Sequence, residues 1–213
     1  MSNPSDFLLL DSGANFSEQT VRDGHNDPNM KVLDQYDFDA YDLLNAGHKF
    51  LILDEFIDQE LMLEHKDRIK AFLDQGNILF FGGQLFRYWI PGASLFVPKT
   101  IHSYLDYQVT VLDHPIFKGV VSDDVTYNKG VAGFFSRGHH PVPEGAEVLL
   151  RLAGEEPTTY IDRHSSQGTI IVHAGRNLLK YRHVVSSAGR IGEQFYRFLY
   201  EEHQSLQLRR VQV

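Results

Sequence analysis

The sequence predicts an α/β domain: a three-layer sandwich with a mostly parallel central sheet and an antiparallel extension. Three observations predict it. Lys49–Leu53 (KFLIL) and Asn77–Phe81 (NILFF) are continuous apolar runs, the pattern of strands buried on both faces. The segment between them has a helical period, which makes a strand–helix–strand unit with a right-handed crossover. After Gly83 the pattern changes to short strand-length segments, two of them at hairpin spacing.

Phe7–Leu10 is a short apolar run that stops in Asp-Ser-Gly, as a buried first strand would. Residues 12–31 hold no sustained period and read as a long loop with at most a short helix, the kind of loop that often serves function. Phe38–Asn45 suits a brief helix capped by Asp37 and closed by Gly47. Asp58–Gln75 reads as one helix: Asp58 is its N-cap, Leu61, Met62, His65, Ile69, Phe72 and Leu73 form its apolar stripe, and Gly76 takes the position after its end. Residues 103–113, 131–136, 146–152, 157–163 and 168–174 are candidate strands, with Ser165–Gly168 as the turn between the last two. Ala188–Glu202 closes the domain as a helix with Ile191, Phe195, Phe198 and Leu199 on one face. Residues 1–205 thus form a single domain of Rossmann or flavodoxin-like type, and 206–213 a polar, basic tail.

Composition excludes several classes of function. With 28 acidic against 20 basic side chains the formal charge is −8, which repels a phosphate backbone and argues against nucleic acid as a partner. No apolar run is long enough to span a bilayer, and MSNPSDFLLLDSG has no basic segment ahead of its apolar stretch, so a cytoplasmic protein without a membrane partner is expected. The chain has no cysteine. That leaves no disulfide, no thiolate metal site and no Cys-His-Glu triad.

The stretch YDLLNAGHKFLILDEFIDQELMLEHKDRIKAFLDQGNILFFGGQ resembles the class I glutamine amidotransferase-like group, in which a strand ending in an acidic or glycine turn and a helix lead into an elbow strand. LDHPIFKGV and PTTYIDRHSSQGTIIVHAGRNLL are similar to segments of that group's trehalose-utilisation (ThuA-like) branch. The resemblance covers residues 40–85 and 112–180. It implies the α/β fold and an elbow at the end of the 77–81 strand. Phe81 or Gly82 stands where the group carries its nucleophilic cysteine, so a Cys-dependent glutaminase is not implied.

Candidate site residues gather at the predicted carboxyl ends of the parallel strands, where open α/β sheets bind ligands. Gly82, Gly83 and Gln84 form a turn in which backbone N–H groups can approach an anion, or a turn that needs positive φ. Asp11, Asp54 and Glu55 end neighbouring strands and can converge on that rim, with Ser12 and Gly13 beside them; such acids can bind Mg²⁺ or act as a base, and they are also ordinary strand-end residues. Arg176 and Asn177 follow the last strand, where the guanidinium can pair with an anionic ligand or with a rim acid. Asp162 and His164 share a face of one predicted strand, and His173 can join them, depending on register, as an alternative metal site. His139 and His140 superficially resemble the end of an amidotransferase triad, but they lie far from the chain's end and read as surface or loop. Arg87, Tyr88 and Trp89 offer a cation and aromatic faces to a sugar or base, or to a protein interface.

Three readings of function follow. The first is a non-catalytic domain binding a small polar or anionic molecule at the rim, with no cofactor. The second is a ThuA-like hydrolase or isomerase of a small carbohydrate-type metabolite, working by His and carboxylate acid–base chemistry. The third is a scaffold subunit that forms a homo-oligomer through Phe86–Phe96.

Overall fold

In a computed structural model, which describes residues 5–128, 132 and 136–211, an eight-stranded mixed sheet runs through the molecule. Strands β1 (Phe7–Asp11), β2 (Met30–Asp34), β3 (Phe50–Leu53), β4 (Ile78–Gly82) and β10 (Thr169–His173) are parallel, in the spatial order β2-β1-β3-β4-β10. The extension β9 (Pro157–Asp162), β8 (Glu147–Leu152) and β6 (Val109–Val111) continues the sheet antiparallel. A separate pair, β5 (Val97–Pro98) and β7 (Gly138–His139), lies outside it.

Alternation along the strands divides the core into two layers, as period-2 side-chain placement requires. Phe7, Leu9, Phe50, Ile52, Phe80 and Ile171 point to one side and meet Ile191, Phe195 and Leu199 of α5 (Ile191–Val211). Leu8, Leu10, Leu51, Leu53, Leu79, Phe81 and Val172 point to the other and meet Met62, Ile69 and Phe72 of α2 (Gln59–Glu64) and α3 (Lys66–Asp74). All the strand residues just named are at most 1% exposed, and burying each is worth about 1.5–3 kcal/mol.

Several expectations are corrected. The expected loop at 12–31 contains α1 (Glu18–Asn26) and the start of β2. β2 is an edge strand whose alternating, half-buried side chains carry little apolar signal. No helix forms at 38–45; a 3₁₀ turn at Gln35–Asp37 is followed by further turns, which bury Phe38 and Leu43 without a continuous stripe. The 58–75 helix breaks at His65 into α2 and α3, although Asp58 caps as expected by accepting from the N–H groups of Glu60 and Leu61. Within 103–113 only Val109–Val111 is strand, preceded by a 3₁₀ turn at Tyr104–Tyr107. The candidate strand at 131–136 falls largely outside the described residues.

The last helix starts at Ile191 and continues to Val211, through most of the expected tail. Gln207 Nε2 donates to the Gly76 carbonyl and Arg210 Nη1 to the Asp74 carbonyl. The end of α3 therefore holds the end of α5, satisfying carbonyls that a helix terminus otherwise leaves without partners. Between β6 and β8 lies α4 (Ser122–Thr126). Among the described residues no helix is long and apolar enough to cross a membrane.

Candidate functional site

Because β1, β3, β4 and β10 are parallel, Asp11, Asp54-Glu55, Gly82-Gly83 and Ala174–Arg176 all leave the sheet at one end. Pairing of β10 with β4 in register, His173 opposite Gly82, brings the segment after residue 173 against the glycine turn. A cleft of about 350 Å³ opens there, lined by Glu55, Phe56, Gly83, Gln84, Phe86, Arg137, Ala174, Gly175 and Arg176.

Beneath this cleft the polar groups interlock. Asn177 Nδ2 donates to Asp54 Oδ1 at 2.5 Å, and Asn177 Oδ1 accepts from the Leu179 N–H, capping the 3₁₀ turn 178–183. That turn carries Lys180 back over the acids, 3.1 Å from Glu55 Oε1 and 3.8 Å from Asp54 Oδ2. Arg176 Nε lies 4.0 Å from Glu55 Oε1. Burial pushes the Asp54 carboxyl up to about 6; Lys180 opposes this, the neighbouring Glu55 charge adds to it, and the Asn177 hydrogen bond opposes it. Asp54 is thus a buried acid held well above the ordinary carboxylate range.

The glycine turn is held from both sides. The Gly83 N–H donates to the His173 carbonyl, Gln59 Nε2 donates to the Gln84 carbonyl, Gln59 Oε1 accepts from the Phe86 N–H, and His140 Nε2 accepts from the Leu85 N–H. Neither Gly82 nor Gly83 has positive φ, which corrects that part of the expectation. Their requirement is steric: a Cβ on Gly82 would lie 3.1 Å from the Asn177 backbone N, and one on Gly83 would lie 2.7 Å from the Glu55 Cα. This turn has no room for a nucleophilic side chain. With no cysteine anywhere in the chain, Cys-dependent glutaminase chemistry is excluded.

The expected site residues divide into two groups. Asp54, Glu55, Gly82, Gly83, Gln84, Arg176 and Asn177 come together at the cleft or directly under it. Asp11, Ser12 and Gly13 leave the same end of the sheet but do not line the cleft. Asp11 Oδ1 accepts from the Gly13 N–H, Gly13 has φ +69, and Gln35 links the Ser12 carbonyl to the Asp58 N–H. This segment is built as a turn tied to the start of α2.

The alternative metal trio does not converge. In the hairpin register Asp162 faces Ile170 and His173 faces Thr159, so the two sit on opposite faces of the sheet and ~10 Å apart along it. Asp162 Oδ1 accepts from the N–H groups of His164 and Ser165, and His164 is exposed. Among the described residues no group of three His, Asp or Glu could hold a metal ion.

The surface reading of the histidine pair is corrected at His140, which is 1% exposed, while His139 is half-buried. Burial, with His139 nearby, lowers His140 to about 4. Burial and nearby His140 lower His173 to about 3, against a contact with Thr158, while the His173 Nδ1 shares a hydrogen bond with Thr159 Oγ1. Trp89 is also buried, edge-on to Phe81, and Arg87 pairs with Glu60 at the surface. His114 of LDHPIFKGV caps the turn 115–117, and Gly119 has φ +72, so this shared segment has a local structural explanation.

Sequence reasoning missed Phe56, Arg137, Lys180 and Gln59, and assigned Phe86 to an oligomer contact and not to the cleft. Phe56 directly follows Glu55, and Arg137 precedes the histidines that drew attention. Lys180 lies three residues beyond Asn177, one turn along. Gln59 carried no signal, because its role depends on which loop packs over the start of α2.

No protein-family model matches this chain, and no curated protein matches it in sequence. Among solved structures it is similar to the GH42 beta-galactosidase Gan42B of G. stearothermophilus, with a TM-score of 0.48, 13% identity and 93% of this chain covered. A catalytic mutant of that enzyme gives 0.47, 13% and 94%. This chain spans 30% of the length of each.

Proposed function

We propose that this chain is a cysteine-less amidotransferase-like domain that binds a small polar or anionic molecule at the carboxyl ends of its parallel strands. The observation that carries the reading is the cleft itself, lined by Arg137 and Arg176 beside closely packed glycine backbone. Arg137 is preorganised: its Nη1 donates to the carbonyls of Ala132 and Ser136, and its guanidinium lies 4.4 Å from the Tyr107 ring centre. A cation held in place before binding loses little freedom when an anion arrives. The resemblance to the amidotransferase-like group supports the same end of the sheet as the working end.

Thermal denaturation in the presence of small carboxylates and phosphates tests this reading. Such an anion raises the midpoint of the wild-type protein and fails to raise that of Arg137→Ala/Arg176→Ala, since a ligand that binds only the folded state stabilises it by mass action. An equal rise in both proteins would place the binding elsewhere and defeat the proposal.

One observation favours a second reading, a small-metabolite hydrolase or isomerase. A buried carboxyl raised to about 6, as Asp54 is, suits a general acid or base. The buried histidines give that reading less support, because His173 is engaged by Thr159 and His140 by the Leu85 N–H. Turnover of a ligand found by thermal shift, lost in Asp54→Asn, would favour it over simple binding.

A further inference from the structure

We propose that Gln84–Phe86, one wall of the cleft, is released by acid: a hydrogen bond that exists only while His140 is neutral pins it to the residue after β7, and protonation of that ring frees it. The geometry dictates the coupling. The Leu85 N–H donates to His140 Nε2 at 3.0 Å, so that nitrogen uses its lone pair and the ring proton sits on Nδ1. A second proton can enter only at Nε2, where it turns the acceptor into a donor aimed at another donor. Both residues are enclosed, Leu85 at 0% and His140 at 1% exposed, so two opposed donors there carry the full cost of unpaired buried polar groups. A charged His140 and a closed wall therefore exclude each other.

The surroundings of the ring do not favour a positive charge. Among the described residues the titratable groups that bear on His140 are two bases, His139 on its own strand and His173 on β10. The segment before β5 presents the edge of the Phe96 ring at 5.5 Å. The cleft turn contributes Arg87, paired with Glu60 at the surface, and the Lys99–Glu156 pair acts on His139. Burial accordingly holds His140 down at about 4, whereas an imidazole in water takes its proton near ~6.5. The sign follows from that difference: the closed wall is fully favoured above ~6.5 and loses favour as pH falls toward ~4, because the open form binds a proton that the closed form refuses. The wall's other ties do not titrate. Gln59 holds the Gln84 carbonyl and the Phe86 N–H, and the Leu85 carbonyl accepts from the Phe96 N–H. Gln84 and Phe86 line the cleft, so on the rim reading above a ligand is lost with the same pH dependence. The device itself does not rest on that reading.

Hydrogen exchange at the Leu85 amide, followed by NMR between pH ~7 and ~4.5 and corrected for the intrinsic rate, reads the opening directly and needs no ligand. The opening equilibrium should rise roughly tenfold for each pH unit below ~6.5, the dependence of an opening that takes up one proton. The amides of Ile52 and Leu79, in the paired central strands β3 and β4, should stay protected over that range. His140→Gln, whose side-chain oxygen can accept from the Leu85 N–H at every pH, should flatten the dependence, and His139→Gln should leave it unchanged. A Leu85 amide without pH dependence in the wild type overturns the proposal by itself, whether or not either variant folds. So does a rise that Ile52 and Leu79 share, which is global unfolding, or one that persists in folded His140→Gln. Each of these outcomes leaves the ligand reading of the rim to its own test by thermal shift.

Discussion

At the carboxyl rim Asp54, Glu55, Arg176 and Lys180 share loosely spaced contacts, two of them 3.8 and 4.0 Å long, around a cleft open to solvent. In the β9–β10 hairpin and the helix packed on it, similar side chains are closed upon each other. Arg163 donates from Nε and Nη2 to the two oxygens of Glu202 at 2.8 and 2.9 Å, and Thr169 donates to the same carboxylate. On that side of the sheet His173 meets Thr159. The residue types barely differ between the two regions, but their surroundings do. Tight, mutually satisfied polar groups in the hairpin join α5 to the sheet, whereas the rim keeps charges beside a space. Polar residues of the hairpin serve packing, and those at the strand exits border the cleft proposed as a ligand site.

The largest expected effect breaks the packed region. Glu202→Ala leaves Arg163 with only Glu147 and removes the acceptor of the Thr169 hydroxyl, so it should cost roughly 3–4 kcal/mol in urea denaturation. A change below about 1 kcal/mol would mean that the network is ornamental. Next comes Gly83→Ala at the rim. The added methyl meets the Glu55 Cα at 2.7 Å and the Phe81 ring at 2.9 Å, neither of them a flexible chain end, and the expected loss is roughly 2–3 kcal/mol. A fully stable Gly83→Ala protein would show that the turn relaxes easily and that the close backbone approach is not a constraint.

The smallest of the three effects separates the regions by pH. Asp54 titrates at about 6 when folded, above an ordinary carboxyl, so between pH ~4 and ~6 the folded state holds a proton that the unfolded state has released. Its contribution therefore favours folding at the acid end and is lost as pH rises through that window. His140 and His173, lowered to about 4 and about 3, act in the opposite direction: the unfolded chain protonates first, and stability is lost as pH falls below ~6.5. Asp54→Asn should raise stability by roughly 1–2 kcal/mol at pH 7 and steepen the loss toward pH 4. Urea midpoints across that range that coincide for the two proteins would place Asp54 in a more solvated setting than the rim described here.

Much of this arrangement was legible in the sequence wherever one residue type implied one environment. KFLIL and NILFF are strands because runs apolar on both faces can only be buried. Asp58 capped its helix because its side chain reaches the first free N–H groups. The strand exits followed from topology, and with them most of the candidate site. The elements that were missed lack such a signature. β2 is an edge strand with half-buried side chains, and the end of α5 packs with Leu206 while Leu208 and Val211 stay exposed, which leaves no apolar stripe to read. Of the two reasons given for Gly82 and Gly83, positive φ does not hold, and their close packing against residues 55 and 177 is not visible from position 82. His140 and Trp89 were read as surface candidates and are buried, since burial there depends on loops meeting from distant parts of the chain. Arg137 and Lys180 reach the rim in the same way.

The central claim is that the ligand site lies at the carboxyl ends of the parallel strands, and a crystal structure of the protein soaked with a small carboxylate or phosphate that raises its thermal midpoint tests it most directly. The account predicts density in the cleft beside the Gly83 turn and Arg176. Density in the groove of α5 beside Lys49, Tyr200 and Gln207, with the rim cleft empty at saturating ligand, would contradict it.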